Sequence, residues 1–232
     1  MTNPIEHREL RLTVPYKDST LEVTALLDEP GDAQALLVLA HGAGAGMRHA
    51  FMEAYTERLA QRGVAVMRYH FPYMEAGKRG PDGKSKLLAT VRAALDLGHD
   101  LAAGRPLVAG GKSMGGRMTS TALAEHTDPR VHGVVFVGFP LHAAGRPGTE
   151  RGDHLAEVEA PMLFLQGTRD KLADLELLRP ICDGLGERST LHVVDGADHG
   201  FHVLKRSGRT DSEVLDEIAE TSVSWMRSFT GP

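Results

Sequence analysis

Six short apolar runs recur along the chain: "ALLVLAHG" (35–42), "VAVMRYHF" (64–71), "PLVAGG" (106–111), "VHGVVFVGFP" (131–140), "PMLFLQG" (161–167) and "TLHVVDG" (190–196). Stretches with apolar residues at helical spacing lie among them, at 49–63, 85–103, 114–126, 172–185 and 211–229. A strand that is apolar on both faces must be covered on both faces, and helices between such strands supply the cover. The pattern predicts a doubly wound, mostly parallel α/β sheet with right-handed crossovers. Ahead of it, "ELRLTV" (9–14) and "TLEVTALLDEP" (20–30) alternate apolar and polar residues around the turn "YKDS". They read as an N-terminal antiparallel hairpin with one solvated face.

No repeat, low-complexity stretch or linker interrupts the 232 residues, so a single domain over 1–232 is expected. Net charge is −5 and no Lys/Arg block occurs, which argues against a nucleic-acid partner. The apolar runs are too short and broken to span a bilayer. The polar start "MTNPIEHREL" has no apolar h-region and gives no sign of a signal peptide. Cys182 is the only cysteine, which is compatible with a reducing compartment, and the expected location is the cytoplasm. Oligomeric state is not readable.

The segment "VAGGKSMGGRM" (108–118) admits two chemistries. "GGKS" resembles the end of a phosphate-binding P-loop, but the first glycine of that motif falls on Pro106, which has no backbone N–H for the cradle. A dinucleotide fingerprint in "LVLAHGAGAGMRH" fails likewise, because its last glycine falls on Met47 or His49. The third reading is a G-x-S-x-G turn with Gly111, Ser113 and Gly115 in place. It needs a strand before the serine and a helix after it, and both are expected here.

A serine needs a base, and the base an orienting acid. Asp170 follows the run at 161–167 and His199 the run at 190–196, both at carboxyl ends of parallel strands, where sites in such sheets are built. The order Ser, Asp, His is that of a nucleophile-elbow triad. Asp195 and Asp198 compete as the acid, and Asp170 has the alternative of capping the helix near Leu172. His192, His202 and His70 compete as the base. An oxyanion hole would draw one N–H from Met114 and one from Ala43 in "HGAGAG" (41–46), where Gly42 lets backbone approach substrate. Such chemistry needs no metal and no cofactor.

With these residues in place the chain resembles an α/β-hydrolase over nearly its whole length. The likeness is to a dienelactone-hydrolase-like subgroup containing the testis-expressed and NSL-complex-subunit hydrolase-like proteins. "HGAGAGM", "HFPYMEAGKRGPD", "GGKSMGGRM", "GFPLH", "LFLQGTRD" and "DGADHGF" carry it. The resemblance implies the α/β-hydrolase fold and a serine hydrolase cleaving a carboxylic ester or related acyl compound, a small-molecule substrate, with a non-catalytic partner-binding role as the alternative. Dienelactone hydrolases usually carry cysteine as nucleophile, so Ser113 departs from them and the lactone substrate is not carried over.

The loop at 70–82 should overhang the site. Tyr73, Glu75 and Arg79 either line the pocket or form a structural loop with a Glu75–Arg79 ion pair. Lys112 either makes the entrance cationic or is a solvated neighbour of the serine. About 20 residues separate the runs at 131–140 and 161–167, too few for a helical lid. A minimal lid and an open site are expected.

Overall fold

The computed structural model describes residues 4–230. The chain opens with β1 (Ile5–Tyr16) and β2 (Ser19–Pro30), paired antiparallel from Ile5↔Pro30 to Tyr16↔Ser19. Both the hairpin and its alternation are as expected, but β1 is longer at both ends than the apolar pattern suggested. Its outer residues are the polar His7, Arg8 and Glu9, held by pairing to β2 rather than by burial.

There follow β3 (Ala35–Ala40), α1 (Ala50–Ala60), β4 (Val64–Tyr69), the single turn α2 (Pro72–Glu75) and α3 (Lys84–Ala102). Then come β5 (Leu107–Lys112), α4 (Met114–Glu125), β6 (Val131–Val137), β7 (Met162–Gly167), α5 (Leu175–Leu185), β8 (Ser189–Val194) and α6 (Asp211–Met226). The strands form one sheet in the order β1-β2-β4-β3-β5-β6-β7-β8. β2 joins β4 antiparallel, and every pairing from β4 through β3 to β8 is parallel.

The continuous apolar runs are explained by the two cores. In β3, Leu36, Val38 and Ala40 enter the core that includes Leu87, Val91 and Met118 of α3 and α4. Leu37 and Leu39 enter the opposite core with Met52, Tyr55 and Leu59 of α1 and Val214 and Ile218 of α6. The period of two persists, but both phases are apolar because both faces are covered.

Between β6 and β7 only a short 3₁₀ turn, Asp153–Glu157, breaks the irregular chain. Its Leu155 is buried and its His154 Nε2 lies 2.7 Å from Ser120 Oγ of α4, so the segment is docked against α4. Among the described residues no helix is long and apolar enough to cross a membrane.

Candidate active site

β5 and β3 lie at the centre of the sheet, where Gly111 sits opposite Ala40. The chain leaves β5 at Lys112 and enters α4 at Met114, so the whole turn is made by Ser113. Its φ of 53° and ψ of −119° are strained for a residue with a side chain. The strain is held from both sides: Ser113 N–H donates to Val137 O at 3.1 Å, and Arg117 N–H donates to Ser113 O at 3.2 Å. The result lifts Oγ above the strand ends.

Ser113 Oγ donates to His199 Nε2 at 2.8 Å, and His199 Nδ1 donates to Asp170 Oδ2 at 2.7 Å. The Asp170 side chain is 1% exposed and fully engaged. Gln166 Nε2 donates to Oδ2 at 2.5 Å and Leu172 N–H to Oδ1 at 2.7 Å. Gln166 is itself buried and accepts Phe139 N–H at 2.9 Å. The acid therefore presents a fixed oxygen to the imidazole, which selects the tautomer with a bare Nε2 facing the serine. The capping alternative for Asp170 is overturned: α5 starts later than expected and is capped by Asp174, which accepts Glu176 N–H, while Asp170 closes only the tight turn to Leu172.

All of the competitors except His70, whose buried Nδ1 has no partner among the described residues, are occupied elsewhere. Asp198 Oδ1 accepts the N–H groups of Gly200 and His202, and Asp195 reaches Thr168. His192 pairs with Glu217 and His202 with Asp211, each at 2.7 Å.

The loop after β3 comes against Ser113: a Cβ on Gly42 would stand 3.6 Å from Ser113 Cβ. Ala43 and Gly42 line the same cavity as Ser113 and His199. Met114 is the first residue of α4, where backbone N–H groups have no intrahelical acceptor. Sequence reasoning missed the residue that orients this loop. His41 is fully buried, its Nδ1 donates to Gly42 O at 2.8 Å, and its Nε2 accepts Phe71 N–H at 3.1 Å. Gly42 C=O and Ala43 N–H belong to one planar trans peptide and point in opposite directions, so fixing the first aims the second.

Burial pushes the His41 pKa down to about 4, against an ordinary 6.5. The unfolded chain binds the proton more tightly, so stability is full above pH 6.5 and falls as pH drops toward 4. His41 is expected to account for about 1.5 kcal/mol of lost stability between pH 6.5 and pH 5. Urea unfolding of wild type and His41→Asn at both pH values checks this; equal acid losses in the two proteins would remove the assignment.

The loop at 70–82 does not line the cavity. Tyr73 is buried and its hydroxyl accepts Gly44 N–H at 3.1 Å, which braces the loop after β3 from behind. Glu75 accepts Thr24 N–H at 3.0 Å and Thr24 Oγ1–H at 2.9 Å, which ties α2 to the hairpin. The alternative Glu75–Arg79 pair is not formed either, because α2 turns Glu75 toward β2 and its ionic partner is Arg11 at 3.6 Å. Arg79 is exposed, and its carbonyl lies 3.9 Å from a Cβ built on Gly44. Lys112 is half-buried and lines the same cavity as Ser113, but its Nζ is not a free cation: it donates to His199 O at 2.5 Å.

A cavity of about 600 Å³ opens beside Ser113, walled by apolar side chains that include Phe51, Met52, Ala54, Leu172, Phe201 and Leu215. His49, His202 and Asp211 stand at its polar margin.

The chain is similar in fold to several solved hydrolases. Residues 33–227 match the family model described as an alpha/beta hydrolase domain. A cold-adapted esterase from an Arctic intertidal metagenomic library superposes with a TM-score of 0.67 at 22% identity, over 98% of this chain and 95% of that one. An α/β serine hydrolase without lid from Xanthomonas campestris gives 0.71 at 18% identity, over 97% and 95%. A dienelactone hydrolase from Anabaena variabilis gives 0.72 at 19% identity, over 97% and 99%. At these identities the structural likeness is one of fold. The family-model match spans most of the chain, and the protein belongs to the alpha/beta hydrolase family.

Proposed function

We propose that the protein is a serine hydrolase of carboxylic esters with a small, neutral, apolar acyl group. One observation carries this reading: the unbroken hydrogen-bond chain from Ser113 through His199 to Asp170, standing at the mouth of an apolar cavity. Ser113 Oγ attacks the ester carbonyl carbon and passes its proton to His199 Nε2. Asp170 stabilises the imidazolium, and the N–H groups of Ala43 and Met114 hold the oxyanion. Collapse of the tetrahedral intermediate breaks the bond to the alkoxy oxygen, which leaves with the proton from His199. Water, deprotonated by the same imidazole, then releases the acid and restores Ser113. These steps use neither metal nor cofactor. The motifs shared with the testis-expressed and NSL-complex-subunit hydrolase-like proteins support a place near that subgroup.

A fluorophosphonate probe should label Ser113 in the folded wild type, and an unlabelled folded protein removes the proposal. The cavity adds a second expectation. Each acyl methylene moved from water into it is worth about 0.8 kcal/mol, so kcat/KM should rise roughly fourfold per methylene along a p-nitrophenyl ester series. The rise should stop earlier in Ala54→Phe, which fills the wall. A profile that is flat in wild type removes the acyl assignment.

A further inference from the structure

Lys112 has a position that the triad chemistry leaves unused. It is the last residue of β5, next to the nucleophile, yet its side chain turns to the base. Nζ donates to the backbone carbonyl of His199 at 2.5 Å. It also lies 5.7 Å from the ring centre of Phe51 and 5.5 Å from that of Phe201. Gly138, after β6, leaves room for it: a Cβ there would stand 3.1 Å from Nζ.

The loop that carries His199 depends on such a tie. Gly196 and Phe201 both have positive φ, 72° and 63°, and the second is a strained value for phenylalanine. The Asp198 side chain binds the N–H groups of Gly200 and His202, and Arg169 N–H reaches Ala197 O at 2.9 Å. Those bonds secure the loop on either side of the base. The carbonyl of His199 itself is held by Lys112.

We propose that Lys112 is a positioning residue for His199: its ammonium clamps the carbonyl of the base, so the residue beside the nucleophile sets where the base stands. The inference rests on reading Ser113, His199 and Asp170 as a catalytic triad. A charge-assisted bond suits the task because it is shorter and stronger than a neutral one. The aromatic faces of Phe51 and Phe201 hold the cation without offering it a carboxylate.

The groups facing Nζ are Asp170 after β7, and Asp198 and His199 after β8; α1 contributes Phe51 and the loop after β6 contributes Gly138. Burial lowers the Lys112 pKa to about 8 from an ordinary 10.5, and Asp170 and Asp198 oppose that fall. The clamp therefore loses its charge within a range where esterases are assayed. Between about 8 and 10.5 the unfolded chain holds more protons than the folded one, so the contribution of Lys112 to stability rises with pH in that window. Activity and the stability contribution of Lys112 should move in opposite directions there, which a lysine serving only the fold does not produce.

The test compares wild type, Lys112→Met and Lys112→Arg on p-nitrophenyl butyrate from pH 6 to 10, with stability followed by urea unfolding. Lys112→Met keeps the stem between the two rings and removes the bond. It should lower kcat roughly 10–100-fold at pH 7.5, with KM within about threefold of wild type. The wild-type fall in kcat near pH 8 should vanish in Lys112→Met and in Lys112→Arg, whose charge persists, and the arginine should recover part of kcat. Wild-type kcat in Lys112→Met overturns the proposal, as does a KM that rises only for a carboxylate-bearing ester, which would make Lys112 a substrate ligand. If Lys112→Met does not fold, the wild-type profile decides, and the absence of a limb near pH 8 overturns the clamp. A wild type that neither hydrolyses esters nor takes the fluorophosphonate removes the proposed function instead; an active wild type with an indifferent Lys112→Met removes only the clamp.

Discussion

Ser113→Ala is expected to lower kcat/KM for a good ester by about 10⁴–10⁶-fold, leaving a folded protein that the fluorophosphonate no longer labels. The size follows from the arrangement. In the proposed mechanism His199 and Asp170 act only through the serine oxygen, so its removal idles all three groups and leaves only cavity binding and oxyanion donors. Stability should respond separately. Ser113 sits at φ 53° and ψ −119°, and alanine keeps the Cβ that makes this conformation costly. Ser113→Gly is equally inactive but has no Cβ, so it should unfold about 1 kcal/mol later than Ser113→Ala, net of glycine's greater unfolded freedom. Urea midpoints of the two inactive variants read this directly. If Ser113→Gly is the less stable, strain at the elbow is not stored there.

Gly111→Ala should have a large effect on folding. A Cβ on Gly111 would lie 2.5 Å from Gly116 N, 2.6 Å from Gly115 C and 2.7 Å from Ala40 O. All three are backbone atoms, so no side-chain rotation relieves the contact. β5 would have to move away from both α4 and β3. The cost is put at no less than about 3 kcal/mol, a large share of the roughly 5–15 kcal/mol that holds a domain of this kind together. Gly31→Ala is the control, because nothing lies within 4 Å of its Cβ position. Its unfolding should stay within about 0.5 kcal/mol of wild type. Equal midpoints for Gly111→Ala and wild type would show that strand and helix can separate at the elbow without loss.

Legibility in the sequence followed the range of the interactions. The six apolar runs marked β3 to β8 because burial on both faces leaves a local compositional trace. Ser113, Asp170 and His199 were legible because a nucleophile elbow demands glycines at fixed spacing and its partners follow strand ends in a fixed order. Gln166 stood in view as a polar residue at the end of "MLFLQG" and passed unread: a buried polar side chain signals a partner, but only the fold says that the partner is Asp170. His41 was likewise visible before Gly42, with no local trace of its bond to Phe71 N–H, thirty residues on.

The loop at 70–82 and Lys112 mark the boundary most clearly. By itself the sequence determined the layered α/β architecture, the position of the elbow and the three residues of the candidate triad, since each rests on periodicity or spacing along the chain. Only the tertiary structure decided that Glu75 turns to Thr24 and Arg11, that Tyr73 braces the loop after β3, and that Lys112 reaches the carbonyl of His199. A charged side chain four or more bonds long can face solvent, substrate or a distant backbone atom with the same neighbours in sequence. Which of these it meets depends on strands brought together from far apart in the chain, and no local pattern records that.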